Sequence, residues 1–522
     1  MKIKSLKVSD FYILKDFEIE FNNNLSVLIG ENGSGKSTIL ELIADIFGHL
    51  HKYFILEDRT AAFVDGYEIV YDYTFQSITH TIEIHSHKKD GKFVPKIWID
   101  NEDISIARIE KEYGGMSYLL PSKTILSYAG ISNHLKSLSE HFEEKYKKEI
   151  IKANNQYTFY PLHLPKERPF FYLKPEHISM LVLAILLSYE ERDMNFVSEY
   201  LSIDKYSCSI ELVFKKPSWT KKTKEKWWGA SGNVALQFLQ TIDLYADKED
   251  WNKEKNELLT YHFDGTLNLE MAFADLNAYS KDIAFTIFDT LLYDDLLSEI
   301  RIVWDLDNGE EIDLNRLSEG QKQILLTLGA NYVFGKNDNL LYLYDEPDVF
   351  LHPQWQQEYI SKFQYYNDLS HVIITTHNPI LIGNLKKEQI YEINNGKKVD
   401  SHNFSYGRDV NSILEDYFKV DERSKQGHDL IRAFYSAMDE KDYDKAEDIL
   451  NELKDNFGPA DVSTVKAESL FDLEFIIMNI PHRIQKSKYV AISVIVVSNN
   501  AGTLFNKPTD NPITTALIII FL

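Results

Sequence analysis

The chain opens with two runs in which apolar and polar residues alternate. Ile3, Leu6, Val8 and Phe11 mark the first, and Phe17, Ile19 and Phe21 the second, the period-two pattern of half-buried strands. Asn22-Asn23-Asn24 supplies a turn, and the continuous apolar run at residues 25–29 suits a short strand buried on both faces. Beyond Lys36 the apolar spacing becomes helical over residues 37–47. Alternation returns at residues 67–71 and 81–84, predicting an antiparallel lobe over 63–100 appended to the core sheet. From about 130 to 290 the pattern is mostly helical, as at 180–189 and 236–245, with no sustained heptad repeat and hence no long coiled-coil arm. A strand-rich stretch at 300–306 precedes the return of the core from Leu317 to about Ile393.

Past residue 400 the pattern is helical again. Asp442 to Ala446 leads into Ile449 and Leu453, and Gly458-Pro459 turns the chain toward another helix. This predicts a TPR-like hairpin, a unit that must dock its apolar face on something else. The expected organisation is 1–130, the first half of an α/β core with its β-lobe; 131–295, a mainly helical insert; 296–400, the second half of the core; 401–475, a helical region with the hairpin; and 476–522, an atypical tail. That tail holds four Lys/Arg and one Asp, against a net −24 for the whole 522 residues, and its apolar runs at 490–497 and 513–522 are too short to span a bilayer. They suit added strands or a terminus produced by a change of reading frame.

Composition narrows the function. The lone Cys208 excludes an internal disulfide and fits a reducing cytoplasm. Nothing approaches the roughly 20 apolar residues of a membrane helix, and the N-terminus lacks a signal peptide's apolar block. The acidic balance disfavours a surface that wraps nucleic acid everywhere. One basic run stands out: Lys215, Lys216, Lys221, Lys222, Lys224 and Lys226, interleaved with Trp219, Trp227 and Trp228. Its lysines can meet phosphates while its tryptophans stack on bases; equally, it is a solvated loop with aromatic anchors.

The chemistry lies in two separated stretches. Gly30-Glu31-Asn32-Gly33-Ser34-Gly35-Lys36-Ser37 is a P-loop between an expected strand and helix, with Thr38 following. Its glycines let backbone N–H groups face phosphates, Lys36 reaches the β- and γ-phosphates of ATP, and Ser37 ligates Mg²⁺. Residues 341–344 form an apolar strand ending in Asp345 and Glu346. Asp345 is placed to hold the Mg²⁺ shell and Glu346 to polarise the attacking water.

With these two motifs in place, Leu317-Ser318-Glu319-Gly320-Gln321 resembles the signature of ABC/SMC-type ATPases, His377 resembles their switch histidine, and residues 348–353 resemble their D-loop, with Leu351-His352-Pro353 similar to the RecF/OLD-like branch. The resemblance implies an ABC-type α/β core that hydrolyses ATP in a head-to-tail dimer or higher oligomer. In it, Ser318, Glu319, Gly320 and Gln321 serve the partner copy's nucleotide, and His377 contacts the γ-phosphate. Ser318 can also cap the following helix, which leaves N–H groups for an anion. Two family features are absent: an arginine near the first strand turn, where Phe11-Tyr12 stands, and a Q-loop glutamine, absent from residues 127–130.

Residues 406–414 and the 442–453 hairpin resemble the PtuA ATPases of Septu and retron antiphage systems. That resemblance implies an ATPase controlling a separate HNH nuclease (PtuB-like), with DNA or retron-derived nucleic acid as a further partner. The alternatives are a DNA-repair or recombination ATPase without a nuclease partner and an OLD-type nuclease using Asp442-Tyr443-Asp444. The latter lacks a preceding glutamate-glycine strand motif. A transporter ATPase does not fit the roughly 280 residues between P-loop and signature.

Overall fold

The computed structural model describes residues 1–89, 91–130, 133–153, 168–188, 196–197, 200–201, 208–220, 225–230, 233–251, 257–305, 310–335, 337, 339–366, 370–400, 404–419, 423–478, 493–495 and 517–519. The chain divides into a large unit, Met1–Val420, and a smaller one, Asp421–Leu522.

The large unit is built on a seven-stranded sheet in the order Phe170–Tyr172, Lys123–Tyr128, Leu340–Asp345, His371–Thr375, Leu25–Ile29, Ile390–Asn394 and Lys397–Val399. The first six run parallel and only the last pair is antiparallel. Parallel strands covered on both faces read as continuous apolar runs, and Leu25–Ile29, Leu340–Asp345 and His371–Thr375 are buried at every position. Their C-terminal ends, where an open α/β sheet places its ligands, bring the P-loop, the Asp345-Glu346 pair and His377 to one edge.

The expected antiparallel lobe is present. Its order is Leu14–Glu20, Lys2–Phe11, Tyr67–Phe75, Ile78–His85, Lys96–Ile99 and Glu102–Asp103. Ile3, Leu6 and Val8 point inward with Ile69 and Tyr71, so the alternation of the opening residues is the register of this sheet. The hairpin turn holds Tyr12 at φ 50°, a residue 69% exposed.

The insert at 131–295 carries strands as well as helices. Helices are there, among them His134–Ala153, His177–Leu186, Asn233–Tyr245 and Lys281–Tyr293. They accompany a five-stranded antiparallel sheet ordered Lys248–Trp251, Leu258–Asp264, Cys208–Lys215, Leu297–Asp305 and Glu311–Asp313. Among the described residues of 131–295 helix outweighs strand, and the strands are an addition not predicted by the sequence pattern. Leu259, Tyr261 and Phe263 are buried while their neighbours face outward; that period-two signal spans only seven residues and is outweighed by the helices flanking it.

The three tryptophans of the basic-aromatic run are anchored by side-chain contacts in this region. Trp228 is fully buried, the Trp219 indole donates to Asp294 O at 2.7 Å, and the Trp227 indole donates to the Tyr261 hydroxyl at 3.0 Å. Lys215 pairs with Asp295 at 2.8 Å and Lys226 with Glu249 at 2.8 Å. Lys221, Lys222 and Lys224 lie outside the described residues.

The smaller unit contains the helices Lys425–Asp439, Tyr443–Phe457 and Val462–Met478, packed around Phe434, Ala437, Ala446, Leu453 and Ala467. Asp442, one candidate acid of the OLD-type alternative, is the N-cap of the second helix and accepts from Lys445 N–H. In the tail, Ser493–Ile495 pairs with Leu517–Ile519; the rest of its two apolar runs falls outside the described residues.

Candidate active site

The P-loop joins the strand Leu25–Ile29 to the helix Lys36–Phe54. Its glycines have specific reasons. A Cβ on Gly30 would stand 2.1 Å from Ile393 O, and Gly35, the helix N-cap, has φ 109°, a conformation L side chains disfavour. The loop is braced from outside by Gly396 N–H, which donates to Ser34 O at 2.8 Å.

The Lys36 ammonium is buried. It donates to Gly30 O at 3.0 Å and Glu31 O at 3.1 Å, and lies 2.7 Å from His377 Nε2. Burial pushes its pKa down to about 8, against the opposing pull of Glu346 and Asp345. His377 is held below the usual imidazole range by burial and by Lys36, so its neutral ring accepts from the ammonium. Its Nε2 is also 3.4 Å from Glu346 Oε1.

Asp345 is delivered by the register Asp345↔Thr375 at the end of the parallel sheet. Ser37 Oγ donates to its Oδ1 at 2.9 Å, and Thr375 Oγ1 donates to the same oxygen. Burial raises its carboxyl above the ordinary range, with those two hydrogen bonds opposing. Glu346 adopts φ 50°, a strained backbone for a residue with a side chain. That turn is held by its N–H, which donates to Thr375 O at 3.2 Å and Thr375 Oγ1 at 3.0 Å.

The residues fit a magnesium-nucleotide. Ser37 and Asp345 present two hard oxygens at one point, the donor chemistry Mg²⁺ takes. The Ser34 hydroxyl is buried without a protein hydrogen-bond partner, facing the requirement that a buried donor find an acceptor. A cleft of about 460 Å³ opens beside them, lined by Tyr12, Ser37, Thr38, Glu41, Tyr128, His134, Leu135 and Asp345. Of the remaining P-loop positions, Glu31 and Asn32 are exposed at the loop tip and Gly33 follows at φ 78°.

Sequence reasoning missed Tyr12, which it noted only as the place of an absent arginine. It also missed Tyr128, whose backbone pairs with Asp345 where a glutamine was sought, and Thr375, signalled only by the Thr-Thr-His run.

The signature residues lie elsewhere. Ser318 caps the helix Glu319–Phe334 in a reciprocal box with Gln321. Ser318, Glu319 and Gln321 face outward or partly outward, while Gly320 is buried. A Cβ on Gly320 would stand 2.6 Å from Phe350 O, so only glycine lets the helix start meet the 348–353 turn. None of the four lines the P-loop cleft.

Fold and site together define an α/β P-loop ATPase core. A family model for the AAA ATPase domain matches residues 1–382, and the chain belongs to that family. Among curated proteins it is similar to the retron Vc95 probable ATPase of Vibrio cholerae serotype O1 biovar El Tor. That pair is 24% identical over 425 residues, covering 75% of this chain and 74% of that protein. It is also similar to the Septu protein PtuA of Bacillus thuringiensis, 31% identical over 114 residues, 20% of this chain and 29% of that one. Among solved structures it aligns with the SMC head domain from Thermotoga maritima at 12% identity, 76% coverage of this chain, 98% of that one, and a TM-score of 0.30. Among the described residues no helix is long and apolar enough to cross a membrane.

Proposed function

We propose that the chain binds and hydrolyses ATP at a site completed by a second copy arranged head to tail, and that this cycle licenses a separate HNH-type nuclease in antiphage defence in the cytoplasm. The observation that carries the ATPase reading is the convergence of Lys36, Ser37, Asp345, Glu346 and His377 at the C-terminal edge of one parallel sheet.

In this reading the loop N–H groups from Gly30 to Thr38 and the Ser34 hydroxyl receive the phosphates at the start of a helix, whose dipole favours anions. Lys36 exchanges its carbonyl partners for β- and γ-phosphate oxygens. Ser37 and Asp345 would hold Mg²⁺, which when bound neutralises phosphate charge. Glu346, fixed by its strained turn, accepts the proton of the attacking water. His377, next to both Lys36 and Glu346, orients on the γ-phosphate. The signature residues Ser318, Glu319, Gly320 and Gln321 stand outside their own cleft, so they serve the nucleotide of another copy. A closure driven by ATP then gives the two states a bound nuclease can sense.

The relatives named for retron and Septu systems support the defence context. Residues 421–457 carry eleven Asp/Glu against six Lys/Arg, a surface suited to a basic protein partner rather than to DNA. The test is DNA cleavage by the purified chain alone and together with the product of a neighbouring nuclease gene, with ATP and Mg²⁺. Cleavage only in the pair supports the reading. Cleavage by the isolated chain, abolished by Asp442→Ala, would replace it with an OLD-type nuclease.

A further inference from the structure

The helix Leu267–Asp275 in the insert carries apolar residues on two faces, and the core uses one of them. Leu269, Ala272 and Phe273 are buried, and the Phe273 ring meets that of Phe238 at a centroid distance of 5.7 Å. Leu267, Met271 and Asp275 follow one another at intervals of four residues, which lines them up in a stripe on the other side of the helix. Leu267 is 63% exposed and Met271 47%. The Tyr245 hydroxyl donates to Asp275 Oδ2, and the Asn268 side-chain amide donates to Asp247 Oδ1 at 2.8 Å. These two bonds hold the end of the helix Asn233–Tyr245 against the stripe, and Leu244 on that end is 81% exposed. A single exposed leucine is ordinary on a protein surface. Three large apolar side chains on two helices tied together mark a surface that meets another molecule.

Charge decides which molecule. Residues 243–275 carry nine Asp/Glu against three Lys/Arg. Lys248 is held by Asp250 at 2.8 Å, and Lys226, from outside the segment, by Asp243 and Glu249. Among the described residues, Asp247 and Asp275 accept only from neutral groups: the Asp264 N–H and the Asn268 amide for the first, the Tyr245 hydroxyl for the second. Such a surface repels a nucleic acid, an anionic membrane and a second copy of a chain whose net charge is −24. It attracts a basic protein segment that brings an apolar side chain of its own. We propose that the face formed by Leu244, Leu267 and Met271 is the docking surface for a basic, apolar-tipped segment of the partner nuclease. This rests on the nuclease reading above and names the surface on which that partner is held.

The test uses the purified full-length chain and the product of the neighbouring nuclease gene, with binding followed by biolayer interferometry at about 50 mM and about 300 mM salt. Wild-type affinity should fall about ten-fold or more between the two. Leu244→Arg and Met271→Arg put a positive charge where a basic segment would sit, and each should weaken the complex about ten-fold or more. Met271→Leu should stay within about two-fold of wild type. Binding of a fluorescent ATP analogue and the Tm should remain those of the wild type; where an arginine lowers the Tm, Leu244→Ser and Met271→Ser take its place. Wild-type affinity for the nuclease in these variants, or an affinity that does not change with salt, overturns the proposal. A change in the oligomeric state of the variants alone, read by mass photometry, also overturns it, because the face would then belong to a second copy. A wild-type chain that does not bind the nuclease sinks the nuclease reading instead, and this is measured before any variant.

Discussion

Ser37 Oγ donates to Asp345 Oδ1 at 2.9 Å across 308 positions of sequence. The contact exists because the two strands that end in these motifs flank His371–Thr375 in one parallel sheet, whose Thr375 bonds the same carboxylate. Losing the carboxylate should remove the metal-dependent part of nucleotide binding. Asp345→Asn is expected to keep the thermal stabilisation given by ATP in EDTA and to lose the increment that Mg²⁺ adds in the wild type. An unchanged Mg²⁺ increment would take Asp345 out of the metal site.

Lys36 should be indispensable. ATP at about one hundred times its Kd stabilises a binding protein by about 2.7 kcal/mol, and Lys36→Ala should show no rise in Tm under conditions where the wild type rises clearly. The same shift in both proteins would place the phosphates elsewhere.

The lysine also predicts a pH effect. Burial holds its pKa at about 8, below the ordinary lysine value of 10.5, and phosphate charge favours the protonated form. Binding at pH 8 should therefore take up a fraction of a proton, and affinity should fall as pH rises above about 8. For the protein without nucleotide the sign is opposite. The unfolded chain binds more protons between the two pKa values, so this one group lets stability rise with pH in that window. Calorimetric binding enthalpies in buffers of different ionisation heat read the uptake directly; equal enthalpies in all buffers at pH 8 would refute it.

The elements that position the site were legible because each has a long or unambiguous signal. Leu25–Ile29 and Leu340–Asp345 are apolar at nearly every position, and glycines such as Gly30 and Gly35 have no alternative use in that context. Ser318 reads as a helix cap from sequence and forms one, with Gln321 as its reciprocal partner in the structure. The strands Cys208–Lys215 and Leu258–Asp264 were not legible, because seven or eight alternating residues between helices carry little weight until their partners Leu297–Asp305 and Lys248–Trp251 are known. Trp227 and Trp228 left two readings open for a related reason: both take positive φ, and a sequence does not say which way a strained turn aims its rings. Thr375 meets Asp345 and Glu346 through contacts between neighbouring strands, which no local pattern encodes.

Gly320 gives a prediction that owes nothing to charge. Gly320→Ala places a methyl 2.6 Å from a backbone carbonyl, where overpacking costs about 1–3 kcal/mol. The variant should show a lowered Tm and reduced turnover with ATP binding retained. Wild-type turnover would mean that the helix start and the 348–353 turn need not meet.

The central claim is that one chain's P-loop works with another chain's signature, and mixing two inactive variants tests it most directly. Lys36→Ala disables one half of a composite site and Ser318→Arg the other, while Glu346→Gln, expected to bind ATP without turnover, controls for occupancy. Combining Lys36→Ala and Ser318→Arg chains should regain ATPase activity, because the mixed dimer holds one site with an intact P-loop and an intact signature. About half of the dimers are mixed and each carries one working site, so the regained rate should approach a quarter of the wild-type rate per chain. Mixtures containing Glu346→Gln and Lys36→Ala should stay inactive, because each P-loop in them is either defective or stands beside a defective catalytic acid of its own chain. No recovery from Lys36→Ala with Ser318→Arg, when each retains the wild-type oligomeric state, would show that the site is complete within one chain.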